Sequence, residues 1–275
     1  MDHRSVIAGV ASPLVGMVHV RALPGAHRYG GDFAAVVERA VHEARMLAEA
    51  GFDALLLENM HDAPYLKRAE ASETVAGMTA VACAVRAATM LPLGIQILAG
   101  ANRAAVSVAA VAGACFVRAE GFVFGHVADE GLIESDAGEL LRHRERIRAA
   151  GVAVYADIKK KHSSHAITAD VDLAETARAA EFFGADGVVV TGEATGRQTS
   201  ADDLRAVRNA TRLPVLVGSG CTPDNLRDLW GVADAFIVGS WIKTDGVWNS
   251  EICPDRARAM VEAARGLRRA GAAGW

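Results

Sequence analysis

The chain has 275 residues, 51% of them hydrophobic, and a formal net charge of −4. That is enough apolar material for one large core, and the interspersed charges provide neither a basic stripe for nucleic acid nor an acidic tail. Cys83, Cys115, Cys221 and Cys253 stand far apart with no CxxC spacing, which argues against a disulfide scaffold or a zinc ribbon and predicts reduced thiols in a cytoplasmic protein.

No apolar leader opens the chain, and no run of about 18 uncharged apolar residues occurs, so direct membrane insertion is not expected. Leu14 to His19 reads as a first buried strand, followed by a Gly- and Pro-containing loop from Arg21 to Asp32. Phe33 to Ala50 carries helical spacing and stops at Gly51, a natural left-handed cap. Phe52 to Asn59 is the second strand, ending in a carboxylate and an amide, and Glu73 to Met90 is an Ala-rich helix. Leu93 to Leu98 and Ala114 to Glu120 are strands three and four, separated by a helix from about Asn102 to Ala112. The connection from Gly121 to Ser135 is long for a compact domain and predicts a lid or binding loop.

A helix over Asp136–Ala150 leads to strand five, Val152 to Ile158, which runs into Lys159-Lys160-Lys161-His162. A helix from about Val171 to Phe183, strand six at Asp186–Thr191 and a helix over Ser200–Thr211 follow. Two apolar runs then end in Gly and Ser: Pro214 to Gly220 and Asp234 to Ser240. With a last helix over Pro254–Arg269, eight strand–helix units of about 30 residues each make a single (β/α)8 barrel, a TIM barrel, the expected fold. A doubly wound sheet is the alternative. Residues 1–12 read as a short N-terminal extension and 270–275 as a tail.

Strand C-termini face the active-site mouth of such a barrel, and the loops after strands seven and eight form its phosphate cradle. Gly218, Ser219, Gly220, Gly239 and Ser240 are therefore the expected phosphate binders, with the helix starts at Thr222-Pro223 and Pro254 supplying further N–H groups. The rival view is that these glycines only relieve crowding. Asn59, Arg118, Thr191 and Gly192 are further expected substrate contacts. Glu58 and Asp157 lie three strands apart and can divide acid and base roles, the arrangement used in glycoside cleavage. Asp157 alternatively pairs with Lys159 or Arg118. Strand alternation puts Lys159 and Lys161 on one side, with Lys160 opposite and solvated. Lys161 can neutralise a phosphate or form a Schiff base. His19 and His162 are candidate acid–base groups, and His19 with Glu58 and Asp157 is a candidate set for a divalent ion such as Mg²⁺ or Mn²⁺.

Gly16-Met17-Val18-His19, Leu23-Pro24-Gly25, Leu57-Glu58-Asn59, Glu73-Thr74-Val75-Ala76, Asp129 to Glu134, Asp157-Ile158, Lys161-His162, Val190-Thr191-Gly192 with Thr195-Gly196, Gly218-Ser219-Gly220 and Gly239-Ser240 occur in one order. In this the chain resembles the BtpA/SgcQ family from about Val15 to Arg258. The resemblance implies a phosphate-binding (β/α)8 barrel, known as a photosystem I biogenesis factor in phototrophs and assigned as a nucleosidase in other bacteria. Met60-His61, Leu98-Ala99-Gly100 and Glu120 depart from the family pattern at strand ends, where substrate identity is set. The expected protein is a homo-oligomeric enzyme acting on a sugar phosphate or nucleoside phosphate, with glycosidic cleavage favoured. The alternatives are aldolase or isomerase chemistry, or a non-enzymatic assembly factor.

Overall fold

A computed structural model describes residues 7, 9–68, 71–192 and 199–272. Most of the expected N-terminal extension, Thr195-Gly196 with its neighbours, and the last residues of the tail lie outside that description. The barrel strands are β1 (Leu14–His19), β2 (Ala54–Glu58), β3 (Leu93–Gln96), β4 (Phe116–Ala119), β5 (Ala153–Ile158), β6 (Gly187–Val190), β7 (Val215–Val217) and β8 (Ala235–Val238). Helices α1 (Phe33–Ala50), α2 (Ser72–Ala88), α3 (Asn102–Ala112), α4 (Ala137–Arg146), α5 (Leu173–Phe182), α6 (Ala201–Ala210), α7 (Pro223–Leu229) and α8 (Pro254–Ala272) follow the strands one for one. All eight strands run parallel, and β1 pairs with both β2 and β8, which closes the sheet and excludes the doubly wound alternative.

Period-two alternation divides the apolar residues into two cores. Val15, Met17, Ala54, Leu56, Phe116, Tyr155, Val189, Leu216, Ala235 and Ile237 fill the interior of the barrel. The alternate residues, such as Val18, Leu55, Leu57, Val117 and Val188, pack outward against the helices. Gly94 makes room for the interior Phe116 ring, since a Cβ there would lie 2.1 Å from Phe116 Cε2.

One capping device recurs at the bottom of the barrel. Asp53, Asp186 and Asp234 stand just before β2, β6 and β8, and each accepts an N–H at the start of the preceding strand, from Leu14, Val154 and Val215, at 2.8 Å. Arg268, Arg144 and Arg208 of the outer helices pair with these carboxylates. All three aspartates, expected inside strands, instead stand one residue before them. Conserving stability at this end leaves the opposite end free for chemistry.

The long connection after β4, expected as a lid or binding loop, is a hairpin. His126–Ala128 and Gly131–Ile133 pair antiparallel, and Ser163–Ser164 adds a third strand on the other side. Asp129 and Glu130 at its turn reach the barrel mouth. Among the described residues, no helix is long and apolar enough to cross a membrane.

Candidate active site

The next inward positions above the apolar interior are polar. His19, Glu58 and Gln96 stand in register at the ends of β1, β2 and β3, and Arg118 follows one residue after the Ile95–Val117 pair. Asp157, on β5, and Glu120, just past β4, complete a ring of buried polar groups. They form the floor of a cavity of about 510 Å³ whose upper wall includes Lys161, Ser219, Gly220, Ser240 and Trp248.

His19 Nδ1 lies 2.9 Å from the Trp248 carbonyl. A carbonyl only accepts, so Nδ1 carries the proton and Nε2 presents its lone pair, 3.8 Å from Glu58 Oε2. Burial, reinforced by Lys243, lowers the His19 pKa to about 3, so its ring is neutral. Burial also raises Glu58 to about 7, against the pull of Arg118. A carboxyl at 7% exposure with that pKa can both give and take a proton near neutrality.

Asp157, expected as a base, has both oxygens on Arg118 Nε, at 3.0 and 3.1 Å. Burial raises its pKa and Arg118 opposes the rise. The pair fixes the guanidinium, whose Nη1 reaches the Gly218 carbonyl at 3.4 Å. Lys161 Nζ donates to Ser219 Oγ at 2.7 Å, and its pKa is lowered, first by burial and then by Arg118.

The lysine alternation does not continue past the strand. Lys159 has φ 45°, which ends β5 and resets the side-chain sequence. Lys159 turns away to the Thr168 carbonyl at 3.1 Å, whereas Lys160 enters the cavity and pairs with Glu120 at 3.1 Å. Gln96 Nε2 and the Gly100 N–H also donate to Glu120, at 3.4 and 3.2 Å. Glu120, noted at a strand end, thus lies in the site, and Lys160 and Gln96 join it as site residues that the spacing did not single out.

The remaining expected contacts divide between the wall and its support. Asn59 accepts the Leu98 N–H at 2.7 Å and donates to Asp62 at 2.8 Å, tying loops together beneath the mouth. Thr191 Oγ1 accepts the Lys161 N–H at 3.0 Å and so positions that lysine. Gly192 is buried just beyond it, outside the cavity lining. His162 stands exposed at the rim, its pKa lowered by partial burial and by Lys161 and Lys160. Among the described residues no three His, Cys, Asp or Glu side chains converge to hold an ion, and Asp157 is occupied by Arg118.

Gly218 matches the crowding view. Its N–H is already bonded to the Val190 carbonyl, and a Cβ would meet Val189 Cγ1 at 2.4 Å and Thr191 Cγ2 at 3.0 Å. Gly218→Ala is expected to destabilise by about 1–3 kcal/mol through overpacking, read as a lower denaturant midpoint in phosphate-free buffer. The start of α7 is also closed to an anion: Thr222 and Asn225 form a reciprocal capping box, and Pro223 has no N–H. By contrast, among the described residues the N–H groups of Ser219, Gly220 and Cys221 meet no acceptor. Gly220 has φ 75°, a turn conformation that favours glycine.

A family model described as the BtpA family matches residues 10–266. The chain belongs to the BtpA family. A Caenorhabditis elegans relative named as mitochondrial is 41% identical over 273 residues, covering 96% of this chain and 98% of its own. The photosystem I biogenesis protein BtpA of Synechocystis is 36% identical over 259 residues, 94% of this chain and 90% of that one. Among solved structures, (S)-3-O-geranylgeranylglyceryl phosphate synthase from Thermoplasma acidophilum, in complex with sn-glycerol-1-phosphate, superposes with a TM-score of 0.58. It is 17% identical over 92% of both chains, a likeness of fold. The likeness to solved structures thus agrees with the barrel, and the polar ring sits at the end where such barrels carry their sites.

Proposed function

We propose that this BtpA-family barrel is an enzyme acting on a small phosphorylated compound, with Glu58 as its general acid–base. The observation that carries the proposal is the carboxyl of Glu58, raised to about 7, beside a neutral imidazole in a cavity bearing fixed cations. Burying charge here costs stability, and a pure scaffold has no need of it. The phosphate would rest on the Ser219–Cys221 amides with Lys161 beside it, opposite Ser240. The solved glycerol-phosphate complex of the same fold is consistent with a ligand of this class.

The favoured reaction is cleavage of a glycosidic bond. Glu58 in its acid form protonates the departing atom as the bond from the sugar carbon breaks. Water then adds to that carbon and returns a proton to the Glu58 carboxylate. Lys161 favours a second reading. Its lowered pKa leaves more free amine to add to a substrate carbonyl and form a Schiff base, as in an aldolase. Borohydride fixation of a carbonyl substrate on Lys161 supports that reading, and turnover unaffected by borohydride supports the first. The name of the Synechocystis relative suggests an assembly role; full biological activity in Glu58→Gln would favour it over catalysis.

A thermal-shift screen against sugar phosphates, nucleotides and their unphosphorylated counterparts, with and without Mg²⁺ or Mn²⁺, tests the ligand class. A phosphorylated ligand at about 100 times its Kd adds roughly 2.7 kcal/mol. Lys161→Ala is expected to weaken that ligand roughly tenfold to a hundredfold, the cost of one charged hydrogen bond at about 1.5–3 kcal/mol. Equal shifts from phosphorylated and unphosphorylated compounds would end the proposal.

A further inference from the structure

A second hollow of about 510 Å³ opens beside the barrel mouth, lined by Arg21, Arg28, Arg39 and His61. The guanidiniums come from the β1 loop and from α1. Arg39 is committed to Glu43 at 3.0 Å and to Glu251 at 2.5 Å. Among the described residues, Arg21 and Arg28 make no hydrogen bond or ion pair. The single carboxylate in the lining is Asp32, and its Oδ1 is occupied by the Ala35 N–H at 3.0 Å. The lining therefore carries three guanidiniums against one carboxylate, with Glu251 at its edge beside Arg39, an excess of positive charge in a chain whose formal net charge is −4.

The field registers on His61. Burial, then Arg21, Lys243, Arg28 and Arg39, lower its pKa to about 4. The same ring is the partition between the two cavities: its centroid lies 5.0 Å from that of Trp248, which lines the catalytic cavity and accepts the His19 hydrogen bond.

We infer that this hollow is a second anion site, in which Arg21 and Arg28 take a phosphate-type oxyanion. Each guanidinium offers a planar fork of donors that matches phosphate oxygens, and a concave wall of one sign concentrates counter-ions. The anion would be either the far end of a substrate already held at Ser219–Cys221 or free inorganic phosphate. The first of these rests on the proposed function, whereas the site itself does not.

Inorganic phosphate is the probe, followed by titration calorimetry and by the His61 imidazole resonances in NMR. The full chain is compared as wild type, Arg21→Gln/Arg28→Gln and Lys161→Ala. Two phosphates per wild-type chain are expected. The double arginine variant should retain only the Lys161-dependent one, and its His61 resonances should stop responding to phosphate. A hexose 1,6-bisphosphate is then set against the matching 6-phosphate. A tenfold or greater advantage that vanishes in the arginine variant assigns the site to the far end of the substrate; independent binding of two phosphates without that advantage assigns it to a free anion. A His61 response that persists when no Lys161-dependent phosphate is found would sink the catalytic cradle and leave this site standing. His61 resonances indifferent to phosphate in wild type, or an arginine variant that binds phosphate as wild type does, overturn the inference.

Discussion

Glu58→Gln is expected to make the folded protein more stable above neutral pH while removing its turnover. The native pKa of about 7 stands above the ordinary 4.5. Between those values the folded state keeps a proton that the unfolded chain releases, so this group's contribution falls as pH rises and is fully lost above about 7. The difference corresponds to about 3 kcal/mol. The amide carries no charge at either end of the range. Variant and wild type should therefore converge below pH 4.5 and separate by about that amount above pH 7. His19 slopes the other way: its pKa drops from 6.5 to about 3, so its contribution is lost as pH falls through that window. In the wild type the two slopes oppose each other where they overlap; in Glu58→Gln the rising His19 limb should emerge. Denaturant melts across the pH range measure both. Turnover of any substrate found by the ligand screen should fall by about 10²–10⁴, the usual worth of a general acid–base. A variant as active as wild type, or one whose stability advantage does not grow with pH, would remove Glu58 from that role.

The strand ends were legible because each apolar run stops at its polar residue. His19, Glu58 and Asp157 could be placed at the mouth because the C-terminal ends of barrel strands face it, and the closed barrel puts them there. Alternation does not give register, however. The choice between Lys159 and Arg118 as the partner of Asp157 depends on it: Arg118 lies opposite Tyr155 on β5, with Asp157 two residues farther along that strand. Parity also fails once the strand ends, which is why Lys160 and not Lys159 reaches the cavity. The hairpin after β4 was hidden for a different reason. Its strands are three residues long, too short to show a period, and their third partner is only the pair Ser163–Ser164. Trp248 left no signal at all, since it acts on His19 through a backbone carbonyl that any residue type could supply.

Arg118→Met is expected to be the most disruptive single change in the site. Arg118 is buried against Asp157, and removing it leaves a buried carboxylate without its hydrogen-bonded counter-charge. Breaking such a pair from one side costs about 3–5 kcal/mol, whereas replacing both members by apolar groups is often close to neutral. Arg118→Met/Asp157→Leu should therefore recover most of the loss, and denaturant midpoints of the two singles and the double close the cycle. The variant has a second signature that lost packing alone would not produce. Arg118 is the largest influence holding Glu58 down against burial, so its removal should move the Glu58 titration above 7, visible by carboxyl-carbon NMR. A single variant within about 1 kcal/mol of wild type would show that the pair is solvated in solution. An unmoved Glu58 titration would show that Arg118 does not act on Glu58. If both effects appear, Asp157 is confirmed as the residue that orients a permanent cation, and Glu58 remains the group in the ring free to exchange a proton.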